Sequence, residues 1–311
     1  MSSVIQFANV TKQYGGTAAL ANVSFEVPPG VVFALLGENG AGKTTAIRLM
    51  LGLTEATSGE VRVLGLHSRR DGLAIRERVG YLPERPTLYE WMTAAEIGWF
   101  TAGFYADGFE TRFRALVAEF RVPLDRKISH LSKGMRAKVA LSLAMAHSPS
   151  LLILDEPTSG LDTMVRREFL ESIVDIAAEG RTVLLSSHQI GEVERVADIV
   201  AIVHAGRLLL VERLDDLKRT TRQLTITVGD HSAQLPPIDG ELIYERRRGR
   251  QWDVLVLGID ETAVERMRFA DGVVAIESRH PSLEEIFVAC MTGAPQRPTN
   301  ASPGMSFEVS R

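Results

Sequence analysis

The 311-residue chain predicts an α/β fold built on a mostly parallel sheet. Three observations carry that prediction. Short, uninterrupted apolar runs recur at 31–36, 151–154, 182–185 and 199–203. Runs of this length, bounded by Gly, Pro or charge, read as strands buried on both faces, as in a parallel sheet covered by helices. Helical stretches lie between them. In one, Val165, Phe169 and Ile173 fall four apart, with Arg166, Arg167, Glu168 and Glu171 between them, the period of an amphipathic helix. The glycine-rich stretch "LLGENGAGKTT" (35–45) stands between an apolar run and a helical segment. Strands and helices alternating in this way imply α/β layering.

Taken in order, the elements divide the chain. The run 31–36 is the strand that feeds the glycine-rich loop, and a helix is expected to start near Thr44. Residues 87–147 are strandless and mostly helical, and predict an inserted helical subdomain. Six of the chain's twenty aromatics lie between Tyr89 and Tyr105, and most are expected to form the small core of that subdomain. The alternative is that Tyr89 and Trp91 line a groove for a partner's helix. The runs 151–154, 182–185 and 199–203 return to the sheet, completing a domain over residues 1–220. Strand-like runs at 224–228 and 254–257 flank "YERRRGRQW", which resembles two strands joined by a basic hairpin tip. Residues 221–292 are therefore expected to form a small α+β domain. The tail 293–311, rich in Pro, Ser, Thr and Gly, is expected to be disordered.

Composition narrows the function. At 45% hydrophobic and 24% charged residues the chain is that of a globular protein with a sizeable core. A net charge of −4 argues against a general nucleic-acid binder, which carries a basic excess. With Cys290 as its single cysteine, the chain has no intrachain disulfide framework and no cysteine-rich metal site. A membrane-spanning helix needs about eighteen apolar residues or more, and the best candidate, 196–211, is broken by Asp198, His204 and Arg207. The start "MSSVIQFANV" lacks the basic and apolar regions of a secretory leader, so the expected location is the cytoplasm.

The chemistry is concentrated in a few stretches. Gly37, Gly42, Lys43 and Thr44 fit the pattern G-x-x-x-x-G-K-[ST], with Glu38, Asn39, Gly40 and Ala41 filling the turn. Such a loop turns successive N–H groups inward on phosphate oxygens, Lys43 reaches the outer phosphates, and the Thr44 hydroxyl can hold Mg²⁺. The fold class is accordingly a P-loop NTPase. "LLILDEPTSGLD" (151–162) ends a buried strand in Asp155, which can bind Mg²⁺, followed at once by Glu156, which can deprotonate a water. His188 in "LLSSHQ" ends the next buried strand, at the edge where open α/β sheets bind ligands. In "LSKGM" (131–135), Ser132 reads as a helix N-cap and Gly134 leaves the first turn bare, so the helix start is an anion site.

These stretches, in this order and spacing over roughly residues 4–215, resemble the nucleotide-binding subunit of ATP-binding cassette (ABC) transporters. The resemblance implies that Tyr14 in "VTKQYGG" stacks on adenine and that Lys43, Thr44 and Thr45 hold phosphates and Mg²⁺. It further implies that Asp155 binds Mg²⁺, Glu156 is the general base, and His188 contacts the γ-phosphate. Asp162 would lie in a loop communicating between subunits. In the family two such domains pack head-to-tail, so Ser132 and the N–H groups near Gly134 would cap the ATP held by a second, identical or related subunit. Two residues depart from the family pattern: Lys133 stands where a second glycine is common, and Glu84 in "VGYLPER" stands where glutamine is usual. A carboxylate at 84 can still serve Mg²⁺ or water. "GYLPE", "LSKGM" and "PSLEEIF" (281–287) look like the exporter-type subfamily, whose permease is a separate membrane chain. The implied protein is an ATPase held at the cytoplasmic face of the membrane through that permease, with ATP and Mg²⁺ as ligands and no nucleic-acid partner. The alternatives are a soluble ABC ATPase acting on ribosomes or nucleic acid, and a P-loop phosphotransferase. Lys43 and Leu131 are only 88 positions apart, leaving no room for the long coiled coil of repair-type forms. "LSKGM" and "SGLD" have no role in a phosphotransferase.

Overall fold

The computed structural model describes residues 3–230 and 234–292; the tail 293–311, expected from its composition to be disordered, lies outside the described residues. Strands β1 (Ile5–Tyr14) and β2 (Thr17–Val27) form a hairpin, and β3 (Val32–Leu36) leads through the glycine-rich loop into helix α1 (Lys43–Met50). Then come β4 (Ser58–Val63), β5 (Leu66–His67), α2 (Gly72–Arg76) and β6 (Val79–Leu82). The next stretch is strand-free: α3 (Ala94–Ala102), α4 (Phe109–Glu119), a 3₁₀ turn at Ile128–His130 and α5 (Lys133–Met145). The chain returns through β7 (Leu151–Asp155), α6 (Thr163–Ala178), β8 (Thr182–Ser187), α7 (Ile190–Val196), β9 (Ile199–His204) and β10 (Arg207–Arg213). A first compact unit ends at Leu214 and a second begins at Asp215, within α8 (Leu214–Thr220). The second contains β11 (Arg222–Val228), β12 (Glu241–Arg248), β13 (Gln251–Leu257), α9 (Glu261–Arg268), β14 (Val273–Arg279) and α10 (Leu283–Thr292).

The central sheet of the first unit runs β10-β9-β3-β8-β7-β6, parallel except for β10, which pairs antiparallel with β9. The predicted apolar runs fill its middle because both faces are covered. Phe33, Leu35, Leu151, Ile153 and Leu184 face one core with Ile47 and Met50 of α1. Val32, Leu152, Leu154, Val183 and Leu185 face another, with Leu141 of α5 and Phe169 and Ile173 of α6. This is the period-two alternation of a strand buried on both sides. An antiparallel sheet, β2-β1-β4-β5, closes the first core with Ile5, Phe7, Val23 and Phe25. Sequence pattern did not reveal it, because register shifts in the β1–β2 pairing interrupt the alternation.

The aromatic cluster corrects an expectation. Tyr89, Trp91, Trp99, Phe100 and Phe104 are exposed, with Trp91 65% accessible. The core of the helical stretch is instead Ile97, Phe109, Phe113, Val117 and Ile128. Tyr89 packs edge-on against Phe100, and Phe100 against Phe104, making an exposed aromatic array; Tyr105 alone of the six turns inward, stacked on Phe109.

The second unit is a four-stranded antiparallel sheet, β12-β13-β11-β14. Leu224, Ile226, Val254 and Val256 pack with Val264 and Met267 of α9. Arg246, Arg247 and Arg248 lie within β12, and the turn itself is Gly249–Arg250, so the basic cluster belongs to a strand more than to a tip. No helix among the described residues is long and apolar enough to cross a membrane.

Candidate functional site

Register brings the motifs together. In the order β3-β8-β7, Leu36 pairs with Ser187 and Asp155 with Ser186. The C-terminal ends of three parallel strands therefore lie side by side, and the residues that follow them converge on one sheet edge.

The loop after β3 enters α1 through Gly42, whose φ of 112° and close approach to the Ala19 carbonyl leave no room for a side chain. No side chain caps α1, so its first N–H groups and dipole are directed at the loop, the arrangement that binds phosphate. The Lys43 ammonium is buried inside the loop. It donates to the Gly37 and Glu38 carbonyls at 2.6 and 3.2 Å and lies 2.9 Å from Glu156 Oε1.

Asp155 is buried at the end of β7, where its Oδ1 accepts from the Ser186 hydroxyl at 2.6 Å. Burial pushes its carboxyl up from the ordinary range; hydrogen bonds from Ser186 and Thr44 pull it down, Glu156 pushes it up and Lys43 pulls it down. A buried carboxylate beside a threonine hydroxyl is a pair of hard oxygens, the ligand chemistry that suits Mg²⁺. Glu156 turns the chain with φ of 47°, a conformation rarely adopted by a non-glycine residue. Its N–H is held by the Ser186 hydroxyl and carbonyl at 3.0 and 3.2 Å, which aims the carboxylate between two partners. One is Lys43; the other is His188, whose Nδ1 lies 2.7 Å from Glu156 Oε2. A carboxylate only accepts, so the proton of that bond sits on Nδ1.

Other predicted residues stand apart from this cluster. Ser132 is the N-cap of α5, accepting from the Met135 N–H at 3.2 Å, and its own hydroxyl proton can serve a further acceptor. Gly134 is packed so closely on Val165 that a side chain would collide. Asp162 caps α6 through the Val165 N–H at 3.0 Å. Tyr14 ends β1 half exposed, with the Lys12 ammonium 4.6 Å from its ring centre. Among the described residues no hydrogen bond or ion pair joins Glu84 to Lys43, Thr44 or Asp155. Glu84 faces Arg85 at 3.9 Å and lines a cavity of about 310 Å³ with Lys133, Arg136 and Ser159.

Sequence reasoning missed Ser186, Ser187 and Glu192. Ser186 joins Asp155 to Glu156, and the Ser187 carbonyl accepts from Gly37 N–H at 3.2 Å, tying β8 to the phosphate loop. The available signal was the hydroxyl pair standing directly before His188 in an otherwise apolar run.

The sequence and fold are similar to those of known proteins. The family model described as ABC transporter matches residues 20–159. The bacitracin transport ATP-binding protein BcrA of Enterococcus faecalis is 35% identical over 231 residues, covering 72% of this chain and 74% of that one. The Nod factor export ATP-binding protein I of Paraburkholderia xenovorans (strain LB400) is 35% identical over 211 residues, covering 66% and 69%. A solved structure described as the ATP-binding subunit of an ABC transporter is 34% identical with a TM-score of 0.64, over 70% of this chain and 92% of that chain.

Proposed function

The chain belongs to the ABC transporter family as an ATP-binding subunit and ATPase, and from that premise we propose that it powers export through a separate membrane permease. The observation that carries the proposal is the line Lys43–Glu156–His188, with Lys43 and Glu156 buried and His188 at the exposed end, set on the edge of the phosphate loop. The loop N–H groups of Gly37 to Gly42, with Lys43, Thr44 and Thr45, bind the ATP phosphates, and Tyr14 stacks on the adenine. Thr44 and Asp155 would hold Mg²⁺; when bound, the ion neutralises charge on the β- and γ-phosphates. Glu156 takes the proton of the attacking water, and His188, held by Glu156 through Nδ1, contacts the γ-phosphate.

The reaction centre is completed by a second subunit, identical or related. Its Ser132 and the N–H groups around its Gly134 cap the γ-phosphate, and the α5 dipole adds to the attraction. ATP closes the dimer, hydrolysis reopens it, and the permease converts that motion into transport at the cytoplasmic face. The exposed aromatic array including Tyr89 and Trp91 offers a surface on which a permease segment can bind. Export is supported by the relatives, one named for Nod factor export and one for bacitracin transport.

The test is purification from detergent together with turnover. Wild type is expected to bring down an integral-membrane protein and hydrolyse ATP. Glu156→Gln is expected to bind ATP, lose turnover and accumulate as a stable dimer. Wild-type hydrolysis by that variant excludes Glu156 as base, and co-purified ribosomes or DNA in place of a membrane protein excludes the transport reading.

A further inference from the structure

We infer that Glu192, a buried carboxylate on α7, is a positioning residue that holds His188 against Glu156. Its side chain is 5% exposed, and such a group persists inside a protein only when its oxygens are partnered. The partners come from both loops that carry the proposed chemistry. The Thr158 hydroxyl, two residues after Glu156, lies 2.7 and 2.8 Å from the two Glu192 oxygens. The Ser187 hydroxyl, one residue before His188, donates at 3.0 Å. A carboxylate only accepts, so the single proton of that hydroxyl goes to Glu192, while its oxygen accepts from the Gln189 N–H at 3.0 Å. Arg166 of α6 approaches Glu192 at 3.4 Å and donates to the Gln189 side chain at 2.6 Å and to the Leu161 carbonyl at 3.2 Å.

The consequence falls on His188. Its ring is 39% exposed, so packing alone does not fix it. Its neighbours on either side, Ser187 and Gln189, are both tied into the buried network, and the same network grips the loop from Glu156 to Asp162. Glu192 thus makes the two loops move as one body. The inference rests on the proposed roles of Glu156 and His188 in hydrolysis.

Steady-state ATPase kinetics of the full chain with Mg–ATP provide the test, using Glu192→Gln, Ser187→Ala, His188→Ala and the Glu192→Gln/His188→Ala double variant. Glu192→Gln is expected to lower kcat about tenfold while KM for ATP stays within about twofold. Added to His188→Ala, it is expected to cost less than about a further twofold, since a residue acting through His188 has nothing left to position. A full multiplicative loss in the double variant, or a raised KM at unchanged kcat, overturns the inference. So does normal kcat in Glu192→Gln when His188→Ala is slow, and that outcome leaves the role of His188 standing. Normal turnover in His188→Ala instead removes the underlying reading, and the inference with it. Should Glu192→Gln fail to fold, Ser187→Ala decides by the same comparison with His188→Ala.

Discussion

Asp155 trades its solvation for a place among β7, β8 and the phosphate loop, and burial outweighs the hydroxyls of Ser186 and Thr44 in raising its carboxyl. A carboxyl whose folded value lies above its unfolded value keeps its proton longer in the folded state. Folded stability then declines as pH rises through the window between the two, and the ionised group is a net cost at neutral pH. Asp155→Asn keeps the shape and the acceptor for Ser186 while removing the charge. We expect it to raise the melting temperature of the nucleotide-free protein by about 2 °C or more and to abolish the Mg²⁺-dependent gain on adding ATP. Melts with and without Mg–ATP check both, and a lower nucleotide-free Tm refutes the argument. Lys43, Asp155 and Glu156 were legible in the sequence because their roles depend on neighbours in the chain. Ser186 and Glu192 were not, since Ser186 bonds Asp155 and Glu156 across neighbouring parallel strands and Glu192 bonds Thr158 in the loop after β7, each some thirty positions away.

Helix α5 was legible at its N-terminus because capping is local: Ser132 bonds the N–H three residues on, a contact worth about 1 kcal/mol. What the helix end faces is a separate matter. Ser132→Arg places a long cation at that end and is expected to leave ATP binding by the monomer unchanged while blocking dimer formation and hydrolysis. Equilibrium binding together with size-exclusion chromatography in ATP checks it, and normal turnover counts against a cross-subunit role. The aromatics around α3 show the opposite case. Composition identifies large apolar rings but not the face they occupy, and five of them, Trp99 and Phe100 on α3 and Tyr89, Trp91 and Phe104 beside it, face outward. In the second unit, "PSLEEIF" has a local role at the start of α10. Ser282 and Glu285 exchange hydrogen bonds in a capping box, and Arg279 pairs with Glu285 through both carboxylate oxygens. Chiefly because of Arg279, the Glu285 carboxyl is held down at about 2. A depressed folded value adds stability that is complete above the usual glutamate range and is lost as pH falls towards about 2. Thermal melts between pH 5 and about 2 are expected to show a shallower loss for Glu285→Gln than for wild type. Parallel curves would show that the pair contributes nothing.

For the assembled molecule, the proposed head-to-tail dimer makes turnover depend on protein concentration. ATPase activity per subunit is expected to fall on dilution through the dimer dissociation range, and added permease is expected to restore it by holding two subunits together. Constant specific activity down to strictly monomeric concentrations would leave no place for Ser132 of a second chain. The sequence by itself determined the parallel α/β layering, the phosphate loop, the acidic pair after β7 and the capped start of α5. Each of these follows from the period of apolar residues or from interactions within a few residues of chain. Only the tertiary structure decided that β8 inserts between β3 and β7, which sets Ser186 and Ser187 beside Asp155 and Leu36. It also decided that Glu156 faces both Lys43 and His188, and that the exposed rings around α3 lie outside the core. Strand order and side-chain facing arise from packing between segments far apart in the chain, and no local pattern of residues encodes them.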